Sequence, residues 1–360
     1  MSKASPSTSA VAPLIGALVL ADVTSAFETT MVFTAVKALL QTYGQPVTVG
    51  WLLTAYLLMS AAAGAICGRL GDLFGRRAVL LLMLVLCGAG SMVSALSPSL
   101  AGVIVGRFLQ GFSGAILPLC VGLARERISA KHLPASIGAI SASQAAGGGL
   151  GMLLGGILID HFGWRSIFWA SSGFVIVSLL AVLLFVAPTK PSEERRSLDL
   201  AGGLLFVPAI AAILLAVSNA KAWSLDPRFW ELLLGGGALL AIWVVHELRH
   251  PHPLIEVRLL ANRNVALPNA AMALCAFGAF QFSQIVLLLM QQPAWTGVGL
   301  GVSATVAGLL KLPGNFLTTL GSPAAGWACG RWGGAVVIAV GMTATGLSCV
   351  AVLVSPATWR

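Results

Sequence analysis

The sequence predicts an all-α polytopic membrane protein, and three observations support that prediction. The chain has 360 residues, of which 58% are apolar and only 9% are charged, whereas an average soluble domain carries about 25% charged residues. The apolar residues come in runs of roughly twenty, the length that a helix needs to cross the bilayer core. Eleven such runs leave only short connections, which disfavours kinases, hydrolases, dehydrogenases and DNA-binding proteins. We expect no enzymatic activity.

The eleven predicted spans follow one another along the whole chain, with ends uncertain by a few residues. They cover residues 13–37, 50–68, 78–97, 100–124, 135–158, 166–187, 200–219, 229–247, 266–290, 303–326 and 335–354. The first run could also be a cleaved secretory signal. Because it contains Asp22 and Glu28 and stays apolar beyond them, we interpret it as a membrane helix.

The formal charge of +9, with 21 Lys and Arg residues, indicates membrane orientation better than nucleic-acid binding, because basic residues accumulate on the cytoplasmic side. Most of them fall in alternate loops, whereas the intervening loops 41–49, 97–99 and 291–302 carry no charge. We therefore expect a multi-pass protein of the bacterial inner (plasma) membrane. Its N-terminus is predicted in the cytoplasm and its C-terminus on the outer side.

Two polar segments divide the predicted spans into groups. The expected organisation is a six-helix bundle over 1–187, a cytoplasmic linker over 188–199, two extra spans over 200–247, a cytoplasmic loop over 248–265 and three helices over 266–360.

The six cysteines lie in or beside apolar runs and form no CxxC pair. We interpret them as small apolar residues rather than as metal ligands or a disulfide framework. There is no P-loop, so neither ATP nor any other cofactor or metal is expected.

The most specific stretch lies in the first predicted cytoplasmic turn. Its glycine, aspartate and arginine residues are Gly68, Arg69, Asp72, Gly75, Arg76 and Arg77. Glycines allow a tight reversal and close helix approach. Asp72 could hold the loop through charge-assisted hydrogen bonds that break when helices move apart. The alternative is that the arginines only set the topology.

The first span carries two carboxyl groups, Asp22 and Glu28. A carboxyl within the membrane is costly and is a functional-site hypothesis by default. The two lie six residues apart, about 240° around a helix, and so do not share a face. We predict that they are candidates for proton coupling or cation recognition, Glu28 before Asp22. The alternative is a structural hydrogen-bonding role.

Arg107, in the fourth span, is the predicted buried counter-charge. An ion pair with Glu28 would persist only while the carboxylate is ionised, so protonation could shift a two-state equilibrium. Alternatively, Arg107 could bind backbone carbonyls or hydroxyl groups of span one. Gln110 and Lys311 are candidates for a substrate cavity, although Lys311 could equally snorkel from a tilted helix.

Span five carries small residues at a spacing that lets helices pack backbone to backbone. They are Gly147, Gly151, Gly155 and Gly156. No GxGxxG pattern occurs among these glycines, which argues against a nucleotide site.

The loop at 68–77 resembles the loop signature of the major facilitator superfamily, and the stretch 51–58 resembles its fourteen-helix drug:proton antiporter branch. The segment 107–115 is similar to the family's buried-arginine motif. The two extra spans, introduced at Asp199, distinguish that branch. The resemblance implies a major facilitator type helical bundle that moves small molecules with protons by alternating access.

The chain departs from the family pattern at three places. Glu28 replaces an aspartate, and Met152 stands where the antiporter motif of span five has a proline. The second half also stops after three spans, so the resemblance implies a C-terminally truncated member whose loop signature lacks its usual partner. The chain could be a fragment, could be completed by a second subunit, or could no longer transport.

The function expected from these features is proton-coupled export of small amphipathic compounds or drugs. The expected partners are a small-molecule substrate, protons and the lipid bilayer, and no nucleic acid. Two alternatives stay open, namely proton-coupled transport of an anionic metabolite and a non-transporting membrane remnant or scaffold.

Overall fold

The computed structural model describes residues 8–44, 46–129, 132–189, 199–223, 226–251, 253–293 and 300–354. Within those ranges the chain is helical and contains no strand. The helices are α1 (Thr8–Tyr43), α2 (Pro46–Phe74), α3 (Arg76–Leu96), α4 (Leu100–Gln110), α5 (Ile116–Arg127), α6 (Leu133–Phe162), α7 (Ser166–Phe185), α8 (Leu200–Ser218), α9 (Ala220–Trp223), α10 (Pro227–Arg249), α11 (Arg263–Cys275), α12 (Gln281–Gln291), α13 (Ala304–Trp332) and α14 (Gly334–Val354).

Among the described residues, eight helices are long and apolar enough to cross a membrane, and the predicted all-α membrane fold is confirmed. They are α1, α2, α3, the continuous stretch Leu100–Arg127, α6, α7, α8 and α10. Helices α4 and α5 form that stretch through a 3-10 turn, Gly111–Ala115. The remaining three predicted spans also fall on helices. The span 266–290 falls on α11 and α12, which a π-helical turn separates. The spans 303–326 and 335–354 fall on α13 and α14, and α14 gives only a shorter apolar helix, Gly334–Ser348.

Several helices begin at a side-chain cap that the sequence supplies. Ser99, Asp199, Asp226 and Ser303 each accept a hydrogen bond from a backbone N–H in the first turn of α4, α8, α10 and α13. Such caps satisfy N–H groups that have no partner within the helix. They fix where these helices begin.

Within the first six predicted spans, α1 packs mainly on α6 and then on α7, and α3 packs on α4 and α7. One buried apolar cluster includes Leu18, Leu80 and Leu119, and a second surrounds Phe27 and Phe168. The outer faces of α3 and α7 expose large apolar side chains such as those of Leu82 and Leu184. An apolar exterior is expected where lipid replaces water.

Helices α8 and α10, which cover the two spans predicted as additional, pack on each other, and α8 also lies along α2. At one end the hydroxyl oxygens of Thr54 and Ser218 are 3.0 Å apart. At the other end a methyl group added at Gly203 would lie 3.9 Å from the Ile66 side chain. Helix α8 therefore runs antiparallel to α2.

The C-terminal helices meet the first bundle mainly where α13 packs on α6. A small apolar cluster of Met152, Leu287 and Ala307 lies at this junction. Helix α14 packs on α13.

Candidate functional site

Glu28 lies in α1 with its side chain fully buried. Ser91 on α3 and Ser171 on α7 donate to Glu28 Oε1 at 3.0 and 2.5 Å. The thiol of Cys87, also on α3, donates to Glu28 Oε2. Three donors from two neighbouring helices thus surround one carboxyl group, which partly replaces the water that it loses.

Arg107 is also fully buried, but its guanidinium faces the backbone of α1 and α2. Arg107 Nη1 donates to the Glu28 carbonyl oxygen at 3.1 Å, and Arg107 Nε donates to the Leu52 carbonyl oxygen at 3.4 Å. The guanidinium carbon lies 4.2 Å from the centre of the Tyr56 ring. This cation–π contact supplies part of the electrostatic stabilisation.

The predicted direct ion pair between Arg107 and the Glu28 carboxylate is not among the ion pairs of the described residues. The carboxylate points towards α3 and α7, whereas the guanidinium lies against the backbone of α1. The two groups are connected indirectly instead. Arg107 Nη1 donates to Gln110 Oε1 at 2.9 Å, and Gln110 Nε2 donates to Ser91 Oγ at 2.7 Å.

Gln110, a candidate for the substrate cavity, is fully buried and connects Arg107 to Ser91 inside the first bundle. Arg107 Nη2 is buried and makes no hydrogen bond within the described structure. An unsatisfied buried donor is costly, so Arg107 has an unused N–H group available if the network rearranges.

Asp22 lies on a different face of α1. Its carboxylate accepts hydrogen bonds from Ser143 Oγ at 2.7 Å and Gln144 Nε2 at 2.5 Å, both on α6. Glu28 and Asp22 therefore contact different helices, as their spacing along α1 predicts. The structure places Asp22 outside the Glu28–Arg107 network.

The loop at 68–77 is held by Arg76. Arg76 Nη2 lies 2.9 Å from Asp72 Oδ1, and Arg76 Nη1 lies 3.0 Å from Glu126 Oε1 on α5. Arg76 Nη1 also donates to the Gly122 carbonyl oxygen at 2.8 Å. The guanidinium thus joins the end of α2 to the end of α5. No sequence pattern indicates Glu126 as its partner.

The glycines of this loop have different roles. Gly75 has a φ of +89°, which strongly favours glycine, and a methyl group there would lie 2.6 Å from the Thr189 carbonyl oxygen. Thr189 Oγ1 also accepts a hydrogen bond from Arg77 N at 3.0 Å. Gly68, in α2 next to Arg69, has open space where a side chain would begin. The expected close approach therefore occurs at Gly75 and not at Gly68.

We expect Arg76→Gln to lower the melting temperature of the protein in detergent by a few degrees. The substitution removes two partly exposed ion pairs, each contributing at most about 1 kcal/mol, and weakens the hydrogen bond to Gly122. Thermal unfolding followed by intrinsic fluorescence would measure the change. Arg125→Gln, at an exposed arginine on the same α5, is the matched control. Equal melting temperatures for the two variants would contradict this account of the loop.

The glycine row of α6 packs on two helices at once. Methyl groups added at Gly147, Gly151 and Gly155 would meet α1 atoms at 2.1 to 2.8 Å. On the other side, a methyl group at Gly156 would lie 2.5 Å from the Ala304 carbonyl oxygen, and one at Gly308 would lie 2.7 Å from the Met152 carbonyl oxygen. The row therefore lets α6 approach both α1 and α13 closely.

The contact between α6 and α13 is tight at one end and open further along. At the tight end, Asp160 Oδ2 accepts hydrogen bonds from Thr305 N at 2.9 Å and Thr305 Oγ1 at 2.6 Å. A crevice of about 670 Å³ lies beside residues 145–150 of α6 and 309–319 of α13. Its lining is almost wholly apolar and includes Leu150, Leu312 and Phe316.

Lys311 was also predicted as a candidate for the substrate cavity. The described residues lining the crevice include its neighbour Leu312 but not Lys311 itself. The lining also contains two polar residues, Asn315 and Thr319. Asn315 lies opposite Gly149, and its Nδ2 atom is buried without a hydrogen-bond partner in the described structure. No sequence pattern indicates Asn315 as a lining residue.

The family model that matches the sequence is that of the Major Facilitator Superfamily, over residues 18–360. An uncharacterized MFS-type transporter of Bacillus subtilis, YvkA, is 31% identical over 268 residues, which are 72% of this chain and 60% of that protein. The multidrug resistance protein B homolog of Mycobacterium tuberculosis is 30% identical over 332 residues, covering 91% of this chain and 60% of that protein.

A third relative is the tetracenomycin C resistance and export protein of Streptomyces glaucescens, with 28% identity over 83% of this chain and 55% of that protein. The chain thus spans about 60% of the length of the first two relatives and somewhat less of the third.

Among solved structures, the peptide transporter POT in complex with sulfate gives a TM-score of 0.62 at 17% identity, covering 89% of this chain and 69% of that one. The proton:xylose symporter XylE gives a TM-score of 0.58 at 15% identity, covering 90% of this chain and 70% of that one. At these identities the similarity establishes the fold alone.

Proposed function

The chain belongs to the Major Facilitator Superfamily, and from this membership we propose that it exports small amphipathic compounds across the bacterial inner membrane in exchange for protons. The names of two relatives, a multidrug resistance protein homolog and a resistance and export protein, support export of such compounds. The chain covers only part of those relatives, so their activity is carried over here as a proposal.

The observation that carries the proposal is the crevice between α6 and α13. A path for alternating access must close at one end and open at the other. The hydrogen bonds between Asp160 and Thr305 close one end of this helix pair, and the crevice lies on the other side of that contact. Its apolar lining favours lipophilic compounds over an anionic metabolite, which would need cationic groups.

The crevice lies near the middle of α6, on the side of the Asp160–Thr305 contact that faces the beginning of that helix. Arg76 joins the end of α2 to the end of α5, and α6 begins directly after that end. Because basic loops indicate the cytoplasmic side, we place the crevice facing the cytoplasm and the Asp160–Thr305 contact near the outer surface. The N-terminus is then cytoplasmic. In this arrangement the transporter is ready to receive a compound from the cell interior.

Glu28 is proposed as the proton-coupling group. Its carboxylate is enclosed by hydroxyl and thiol donors. Protonation would remove the charge and turn the carboxyl group into a donor, so Ser91 and Ser171, whose oxygens are 3.0 Å apart, would have to reorient. Because Ser91 also accepts from Gln110, the change would reach Arg107. This hydrogen-bond path is how one proton could alter the packing of α1 against α3, α4 and α7.

The proposal is tested by proton movement in inside-out membrane vesicles that contain the 360-residue chain. After a proton gradient has been established, lipophilic cations, neutral lipophilic drugs and organic anions are added one at a time, and a pH-sensitive dye reports the gradient. We expect compound-dependent proton release with lipophilic cations or neutral drugs. A response to organic anions alone would favour the anionic-metabolite alternative.

The remnant or scaffold alternative makes a different prediction in the same assay. Correctly inserted protein that gives no response to any compound would overturn the export proposal and favour a scaffold. A response that appears only when a second protein is co-expressed with this chain would favour a second subunit. Size-exclusion chromatography of the purified protein distinguishes these cases from aggregation.

A further inference from the structure

Three side chains of types that can ligate a metal ion lie together where α8 begins and α10 ends, outside the network described above. Asp199 Oδ2 lies 2.9 Å from His246 Nε2 and 3.9 Å from His250 Nδ1. One ligand atom from each of the three residues lies within 4.8 Å of the other two. Asp199 is almost fully buried, and both imidazoles are about one quarter exposed.

Glu247 is a second carboxylate beside this cluster. Its side chain is 2% exposed, and its Oε2 atom accepts a hydrogen bond from Ile255 N at 3.1 Å. Its Oε1 atom is buried and has no hydrogen-bond partner within the described structure. An unpartnered buried carboxylate oxygen is costly unless something cationic or a donor occupies the space beside it.

Gly202 lies between the two carboxylates. A methyl group added there would be 2.5 Å from Asp199 Oδ2 and 2.7 Å from Glu247 Oε1. Both carboxylate oxygens therefore lie next to Gly202, and the unpartnered oxygen of Glu247 is near Asp199. The residues whose ligand atoms lie within 4.8 Å of one another are Asp199, His246 and His250, and Glu247 lies beside them.

The donor set suits a divalent transition-metal ion. Imidazole nitrogen and carboxylate oxygen bind Zn²⁺ at about 2.0–2.2 Å, which in a tetrahedral site places ligand atoms roughly 3.3–3.5 Å apart. The distances of 2.9 and 3.9 Å in this cluster bracket that value. Calcium and magnesium prefer all-oxygen sites, so two imidazoles select against them.

We propose that Asp199, His246 and His250, with Glu247 beside them, form a binding site for one divalent transition-metal ion of the Zn²⁺ type. The ion would tie the start of α8 to the end of α10. This inference is independent of the transport proposal, since none of the four residues belongs to the Glu28 network or to the crevice.

Cobalt(II) titration of the purified full chain, prepared with a tag that contains no histidine, tests the proposal. Four-coordinate Co²⁺ bound to this site gives intense visible d–d absorption, and Zn²⁺ should displace it. We expect one ion per chain. His250→Gln should weaken binding at least about tenfold, by analogy with the loss seen when even outer-shell partners are removed. His132→Gln, at an exposed histidine directly before α6, should bind as the unsubstituted protein does.

Thermal unfolding of the unsubstituted protein tests metal binding without any substitution. Zn²⁺ should raise the melting temperature of the unsubstituted protein, because a ligand that binds only the folded state stabilises it, whereas Mg²⁺ should not. The absence of both the Co²⁺ bands and the Zn²⁺ stabilisation would overturn the proposal and leave a histidine–aspartate hydrogen bond only. Equal Co²⁺ affinity in folded His250→Gln and His132→Gln would overturn it as well.

Discussion

Glu28→Gln is expected to abolish compound-dependent proton movement while the protein still inserts and folds. Glutamine keeps the size and a hydrogen-bond acceptor for Ser91 and Ser171, but it cannot bind and release a proton. If Glu28 is the coupling group, the dye signal should fall by at least tenfold, because one proton-transfer group contributes roughly 10²–10⁴ to rates that depend on it. The vesicle assay described above measures the change, with the protein amount checked in the same vesicles.

Asp22→Asn is the matched control for this substitution. It removes the other buried carboxylate of α1, whose partners are Ser143 and Gln144 on α6, without touching the Arg107 network. We expect coupled proton movement to persist in Asp22→Asn. Loss of the signal in Asp22→Asn with retention in Glu28→Gln would reverse the assignment, and full activity in both variants would remove the first helix from the coupling mechanism.

Gly156→Ala is expected to lower the melting temperature by several degrees. The added methyl group would lie 2.5 Å from the Ala304 carbonyl oxygen and 2.7 Å from Thr305 N, both of them backbone atoms. Backbone cannot rotate away as a side chain can, so α6 and α13 must separate there. Overpacking of this kind costs typically 1–3 kcal/mol. Thermal unfolding in detergent, followed by fluorescence, checks the prediction.

Gly138→Ala, on the same helix, separates overpacking from the intrinsic effect of the substitution. Gly138 has no atom within 4 Å of the position of an added methyl group. Alanine favours a helix over glycine by about 1 kcal/mol, so this variant should be as stable as the unsubstituted protein or slightly more so. If Gly156→Ala were equally stable, α6 and α13 would not be in close contact in solution.

The helical fold and the positions of the main motifs could be predicted from the sequence, because a helix that crosses a membrane requires a long apolar run. Long apolar runs, and a charged residue such as Arg107 within one of them, are rare enough to be informative. The hydrogen-bond partner of Arg107 could not be predicted from the sequence. Helical spacing gives the face on which a residue lies, but not whether a long side chain reaches a carboxylate or a backbone carbonyl, and the structure selects the Glu28 carbonyl oxygen.

The donors around Glu28 were missed for a different reason. Ser91, Ser171 and Cys87 are small residues in apolar helices, where isolated serines and cysteines usually serve close packing. Cys87 was interpreted as an apolar residue, yet its thiol donates to Glu28. Only the three-dimensional arrangement of α1, α3 and α7 brings the three donors to one carboxyl group. Glu126 was missed similarly, since its partner Arg76 is distant in sequence.

The attachment of the two extra helices affects how this protein can be studied. Helix α8 lies along α2 over most of its length, with contacts at Thr54 and at Ile66, and α10 packs on α8 rather than across the junction of α6 and α13. A fluorophore or spin label on the exposed face of α10 would therefore share the motion of α2. Distances from such a label to α13 would then record the separation of the two halves without any probe in the crevice.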